Sequence, residues 1–253
     1  MKSCIVTGSQ GFIGSFICSE LLSNGWKVLG IDNYSKYGRV TRPHDSHYGF
    51  TLIEEDLSKK FPNITADYLI AGAAMIGGIS YFHKYAYDLV STNERILANT
   101  FDKAIKDDNI KRIICLSSSM VFENTDRYPT KESDLMECPP PLSTYGFQKL
   151  AVEYFAKGAW DQYKQPYTIV RPFNCVGVGE FEASGEEEIL SGNVKLLMSH
   201  VLPDLINKTL KGQHPLHILG SGDQLRCYTN GKDIARAIRL VLDDEKAINE
   251  DFN

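Results

Sequence analysis

Along the N-terminal half of the chain, short β-branched runs alternate with stretches whose apolar residues recur at helical spacing, the pattern of parallel βαβ units. Ser3-Cys4-Ile5-Val6-Thr7 reads as a buried strand, and a helix follows over Phe12 to Asn24, stopping near Gly25. Lys27 to Ile31 is the second strand; Thr51 to Ile53, Tyr68 to Ala71 and Arg112 to Leu116 are the third, fourth and fifth. Ile96, Leu97, Thr100, Phe101, Ala104 and Ile105 recur at helical spacing in one long helix, and Leu150, Ala151, Tyr154, Phe155 and Ala159 do so in another. Tyr167 to Val170 is a further strand, stopped by Pro172.

After Pro172 the texture changes. Residues 177–193 are rich in Gly, Glu and Ser with little periodicity, which predicts a loop, its Glu186-Glu187-Glu188 run a solvated face. A helix is predicted over His200 to Leu210, a strand over Leu216 to Leu219 and a helix over Lys232 to Leu242. The whole predicts an α/β fold: a doubly wound parallel sheet in residues 1–173, with 231–247 packing back onto it. A smaller C-terminal lobe comprises 174–230 and 248–253.

Composition narrows the class. At 253 residues, with 43% hydrophobic and 23% charged residues, the chain has the make-up of a soluble globular protein with a sizeable core. A net charge of −5 argues against a nucleic-acid binder. Cys4, Cys18, Cys115, Cys138, Cys175 and Cys227 form no C-x-x-C pair and no cluster at metal-ligand spacing, so no metal site is expected. Reduced, mostly buried thiols are, as in a cytoplasmic protein. No membrane-spanning run or targeting segment is visible in the sequence.

Chemistry enters at Thr7-Gly8-Ser9-Gln10-Gly11-Phe12-Ile13-Gly14, between the first strand and the first helix. The spacing is G-x-x-G-x-x-G rather than the common G-x-G-x-x-G, but the physics is shared. Glycines allow a tight turn and close backbone approach, and the helix N-terminus offers N–H groups and positive dipole to a pyrophosphate. Asp32 closes the second strand, where a carboxylate accepts from an adenosine ribose and repels a 2′-phosphate, favouring NAD over NADP. Arg39 and Arg42 in the next loop are able to meet such a phosphate; the competing reading is a solvated basic loop. A Rossmann-type NAD-binding domain is therefore expected.

Further on, Ser117-Ser118-Ser119 follows the fifth strand, and Tyr145 and Lys149, four apart, share one helix face. An ammonium beside a phenol favours the phenolate and brings its pKa toward that of a general base. A serine hydroxyl at a neighbouring strand end can bond the same substrate oxygen.

At these residues the chain resembles the extended short-chain dehydrogenase/reductases, the NAD-dependent nucleotide-sugar epimerase/dehydratase family. The resemblance runs through Gly8, Gly11 and Gly14, Asp32-Asn33, Asp56-Leu57, Ala71-Gly72-Ala73-Ala74, the serine run, Tyr145 with Lys149, and Arg171-Pro172-Phe173-Asn174. It continues in Ser199-His200-Val201-Leu202-Pro203, Leu219-Gly220-Ser221-Gly222 through Arg226, and Asp233-Ile234-Ala235. It implies catalysis by Ser118, Tyr145 and Lys149. It implies cofactor contacts from Gly8, Gly11, Phe12, Ile13, Gly14, Asp32, Asn33, Asp56, Leu57, Ala73, Ala74, Asn93, Ser117, Tyr145, Lys149 and Pro172. Asp56 and Leu57 resemble the adenine contacts, and Asn93 a residue near the nicotinamide. Ser118, Ser119, Asn174, His200, Val201 and Arg226 are the implied substrate contacts, Asn174 at the sugar–pyrophosphate and Arg226 at a nucleotide phosphate, where a guanidinium fork suits the oxygens. A surface ion pair is the other reading of Arg226.

The resemblance also implies a nucleotide-sugar-binding lobe, incomplete at the C-terminus because Asp251-Phe252-Asn253 matches a strand that further lobe residues follow. It implies a homodimer built on the helices near 92–107 and 145–163. Its shared first step is oxidation at sugar C4 with Tyr145 removing the hydroxyl proton. Where 4,6-dehydratases carry acids after the catalytic residue, this chain has Ser119 and Met120. Met120 also stands where GDP-sugar 3,5-epimerases, resembled at Met75-Ile76-Gly77-Gly78, use a cysteine. His200 matches that cysteine's partner, with a locally bonded helix-start residue as the alternative. The reading is a 4-epimerase working through a 4-keto sugar; a 4-keto-sugar reductase or dehydratase and a non-catalytic NAD sensor are the alternatives.

Overall fold

The computed structural model describes residues 1–76, 84–180, 189–191, 194–196, 200–218 and 220–253, with backbone alone at 189–191 and 194–196. Gly77-Gly78, Glu186-Glu187-Glu188, Ser199 and Leu219 lie outside the described residues. The central sheet is built from β1 (Ser3–Thr7), β2 (Lys27–Asp32), β3 (Phe50–Glu54), β4 (Tyr68–Ala71), β5 (Arg112–Leu116), β6 (Tyr167–Val170) and β11 (Asp251–Phe252). Their order is β3-β2-β1-β4-β5-β6-β11, and every pairing is parallel.

A parallel sheet must be covered on both faces, and side-chain alternation divides the two cores. Cys4, Val6, Val28, Ile70, Ile114 and Val170 point to one side. There they meet α1 (Phe12–Ser23) and α5 (Gly231–Asp243), which pack on each other. Ile5, Ile31, Leu69, Ile113, Cys115 and Ile169 point to the other, against α2 (Ala86–Lys106) and α3 (Thr144–Tyr163). The strand order reverses beside β1, where β2 and β4 flank it, and the crevice at the carboxyl ends of such strands is where ligands bind in open α/β sheets.

The return of α5 has a specific cause. Arg112 on β5 is buried, and its guanidinium donates to the carbonyls of Val241 (2.9 Å), Leu242 (3.0 Å) and Asp244 (3.0 Å), closing the helix C-terminus.

Several expectations are corrected. Residues 248–253, assigned to the lobe, instead supply β11, paired to β6 through Asp251↔Ile169 and Phe252↔Val170. Residues 216–218 are not a strand. The stretch read as loop contains part of an antiparallel hairpin, β8 (Ile189–Ser191) and β9 (Val194–Leu196). β7 (Cys175–Val176) pairs with β10 (Thr229–Asn230), and α4 (Val201–Leu210) follows the hairpin. All six cysteines are free, but only Cys4, Cys18 and Cys115 are buried. No helix among the described residues is long and apolar enough to cross a membrane, and none of them form a metal-binding cluster.

Candidate active site

The glycine turn is set by contacts that exclude side chains. Gly8 has φ +74°, a left-handed conformation, and its N–H donates to Ile31 O at 2.8 Å, tying the turn to β2. A Cβ on Gly14 would lie 2.0 Å from Gly8 O. The turn therefore closes directly onto the first turn of α1, which has no side-chain cap and no acidic residue in that turn. Such a helix start presents N–H groups and dipole to an anion, so the residues fit a pyrophosphate.

Asp32 ends β2 beside this turn and accepts from the N–H of Gln10 (2.9 Å) and of Tyr34 (2.8 Å). Burial pushes its carboxyl up, while those N–H groups and the charge of Arg42 pull it down. Asn33 is exposed, and its side chain accepts from Ser35 N–H. The two arginines of this loop are engaged. Arg39 Nη2 donates to both carboxylate oxygens of Glu54, at 2.8 and 2.7 Å. Arg42, for which a solvated loop is one of two readings, is buried and donates to Gln10 O (2.9 Å) and Gly179 O (2.8 Å).

On the β4 side, Thr7 Oγ1 donates to Ile70 O and accepts from the N–H of Gly72 and Ala73, seating the alanine pair beside the turn. Asn93, buried on α2, uses both ends of its amide on Met75, accepting from its N–H at 2.6 Å and donating to its carbonyl at 3.0 Å. Its side chain thus shapes the loop after β4. Leu57 is packed in the core and Asp56 accepts from Ser58, its carboxyl held low first by that hydroxyl.

The three residues expected to be catalytic converge. Ser118 caps a short 3-10 helix, Ser119–Phe122, accepting from Met120 N–H at 3.2 Å, and its hydroxyl acts to lower the Tyr145 phenol. Ser119 N–H donates to Pro172 O, joining this segment to the end of β6. The α3 start is capped by Ser143, whose Oγ accepts from Gly146 N–H at 3.0 Å. One turn further, Lys149 Nζ donates to Leu116 O at 2.9 Å and lies 6.0 Å from the Tyr145 ring centre. The ammonium was expected to lower Tyr145; instead burial raises the phenol, and the Ser118 hydrogen bond opposes it. Burial also brings Lys149 down to about 8. Desolvation outweighs pairing at both groups.

Ser117, named as a cofactor contact, turns its hydroxyl inward to Glu153 Oε1 at 2.7 Å. Sequence reading missed Thr7, Glu153 and Gln148. Glu153 stands four residues after Lys149, a spacing that puts both on one helix face. Gln148 is 2% exposed and, with Thr7, Ala73, Asn93 and Lys149, lines a crevice between the sheet and α2–α3. Its Oε1 has no partner among the described residues, and a buried acceptor of this kind suits a cofactor that brings donors.

The lobe residues are less gathered. Asn174 has φ +36° and donates to Cys227 O at 3.1 Å, across the β7–β10 pair. Arg226 is exposed and donates to the neighbouring Leu225 O at 2.9 Å. His200 precedes α4 without capping it, and its Nδ1 pairs with the buried Glu180; Val201 is exposed.

The family model for the NAD dependent epimerase/dehydratase family matches residues 4–253. A UDP-N-acetylglucosamine 4-epimerase from Methanobrevibacter ruminantium, solved with UDP-N-acetylmuramic acid, is 30% identical at a TM-score of 0.77, covering 100% of this chain and 76% of that one. The UDP-glucose 4-epimerase of Thermotoga maritima, solved with UDP-glucose, is 27% identical at a TM-score of 0.81, covering 99% and 76%. A GDP-L-fucose synthase of Dictyostelium discoideum is 24% identical over 96% of this chain and 70% of its own length.

Proposed function

Because the chain belongs to the NAD-dependent epimerase/dehydratase family, we propose that it is a nucleotide-sugar 4-epimerase working through a transient 4-keto sugar. It is an NAD-dependent enzyme by family. One observation carries the finer reading: Ser118, Tyr145 and Lys149 meet at the carboxyl ends of the strands with no second acid or base beside them on the segment that follows. Ser119 and Met120 occupy those positions, and the next carboxylate, Glu123, accepts from Ser143 N–H (3.0 Å) and Oγ (2.9 Å). Epimerisation at C4 needs one base that returns its proton, whereas elimination or inversion at C3 and C5 needs more.

In this reading the turn Gly8–Gly14 and the α1 N-terminus hold the pyrophosphate, Asp32 the adenosine ribose, and Gln148 and Lys149 border the nicotinamide riboside. NAD, when bound, supplies reversible hydride acceptance. The Tyr145 oxygen takes the proton of the C4 hydroxyl and returns it to that same oxygen once C4 has inverted, while Ser118 Oγ bonds the same oxygen. Lys149 provides positive charge beside the phenol. The lobe of residues 174–230 receives the nucleotide, with Asn174 and Arg226 toward its phosphates.

The expected result is interconversion of C4 epimers of a UDP- or GDP-sugar, followed by proton NMR in deuterium oxide, with no accumulation of NADH and no deuterium at C3 or C5. Deuterium at either carbon would instead favour a 3,5-epimerase. That second reading draws on the pairing of His200 with Glu180, which fixes an imidazole just before α4. Net consumption of NADH would make it a reductase. We further propose a cytoplasmic homodimer through α2 and α3, whose Tyr87 and Tyr154 are exposed. A monomer at micromolar concentration in light scattering would refute the dimer.

A further inference from the structure

Glu153 on α3 is fully buried, and so is Arg171 at the end of β6. The guanidinium meets the carboxylate as a fork, Nε to Oε1 and Nη2 to Oε2, both at 2.8 Å. Oε1 also accepts the Ser117 hydroxyl at 2.7 Å, and that same hydroxyl lies 3.3 Å from Lys149 O. Arg171 is held from behind by Asp251 and by Asn253 Oδ1 (3.2 Å), and its guanidinium packs 5.3 Å from the Phe122 ring centre. The pair thus grips the segment carrying Ser118 at both ends, at Ser117 by hydrogen bond and at Phe122 by stacking.

We propose, resting on the catalytic reading of Ser118 and Tyr145, that Glu153 is a positioning residue: clamped by Arg171, its carboxylate fixes Ser117 and thereby aims the Ser118 hydroxyl at Tyr145. A buried ion pair is a weak source of stability, because desolvation consumes much of the Coulomb gain. What it supplies is direction. The fork fixes the carboxylate plane, and the carboxylate fixes the serine backbone. Burial opposes the Arg171 cation, but the hydrogen bonds and charge of Glu153, then of Asp251, outweigh it and raise its pKa. Because the Ser118 hydrogen bond is what opposes the burial-driven rise of the Tyr145 phenol, slack at Ser117 has a defined sign. It raises Tyr145 further and leaves less base.

The test needs no substrate. The full-length protein, Ser117→Ala, Ser117→Thr and Glu153→Gln are titrated by ultraviolet absorbance of phenolate, each against the same protein carrying Tyr145→Phe, so that the difference isolates Tyr145. Ser117→Ala keeps the ion pair and removes one hydroxyl. It should raise the Tyr145 pKa by about half a unit to one unit, Ser117→Thr should restore it, and Glu153→Gln should match or exceed it. Unchanged Tyr145 titration in Ser117→Ala, whatever happens to the melting temperature, overturns the proposal even if Glu153→Gln does not fold. A shifted titration in a protein that turns over no nucleotide sugar would uphold the positioning and sink the epimerase reading alone.

Discussion

The sheet and the segments of residues 174–230 are made differently. On the sheet side, each chemical group hangs from a strand end or from a helix packed on one of the two cores, and its backbone is set by neighbours far away in sequence. Ser117 N–H, for example, donates to Val170 O at 2.9 Å. On the lobe side, Asn174 and Arg226 take their positions from short-range or edge contacts, and large apolar residues such as Leu210 and Leu225 stand in solvent. Precision in this molecule follows the parallel ladder. Groups on the sheet side are over-determined, so their removal should change the chemistry; groups on the lobe side should change affinity.

That contrast can be broken most severely at Tyr145, the proposed base. Tyr145→Phe should lower kcat by about 100-fold to 10,000-fold, the usual range for a lost general base, while NAD affinity measured by calorimetry stays within about threefold. An equal loss of NAD binding would mean that the phenol chiefly holds cofactor. Gly14→Ala comes next, since its Cβ would sit 2.0 Å from Gly8 O and the turn must open. Stability should fall by about 1–3 kcal/mol, and NAD-induced thermal stabilisation should disappear.

Lys149 gives a smaller effect with a definite pH window. Burial holds its pKa down at about 8, below the unfolded-chain value of about 10.4. The cost of burying the ammonium is therefore fully present below about 8 and fades as pH rises to the unfolded value. Lys149→Met should raise the melting temperature at pH 7 and leave it nearly unchanged at pH 11; a gain independent of pH would refute the assignment. The wild-type rate should fall as pH rises through about 8. Smallest are the lobe changes. Arg226→Ala should raise KM for the nucleotide sugar by about 10-fold with kcat nearly intact, and Leu225→Ser should shift stability by no more than about 0.5 kcal/mol. A kcat loss from Arg226→Ala would show that the lobe reaches the reacting carbon.

Most strand bounds were legible because strands buried on both faces leave no other role for runs such as Ile113-Ile114-Cys115. The short β7–β10 pair, the β8–β9 hairpin and the 3-10 helix over Ser119–Phe122 were not, since two or three residues carry no period. The predicted strand at Leu216 failed for the same reason: an apolar run of that length, with no sheet edge to join, is equally at home in a loop.

The amino-acid order by itself determined the βαβ alternation, the glycine turn with its carboxylate, and the Tyr145–Lys149 pair, because each is a local pattern whose spacing is its meaning. Only the tertiary structure decided where buried charge goes. It set the Ser117 hydroxyl on Glu153, carried residues 251–252 into the sheet to brace Arg171, and sank Arg42 beneath the turn. Such partners are distant in sequence and are chosen by the cost of leaving a polar group unpaired away from water, which no local spacing records.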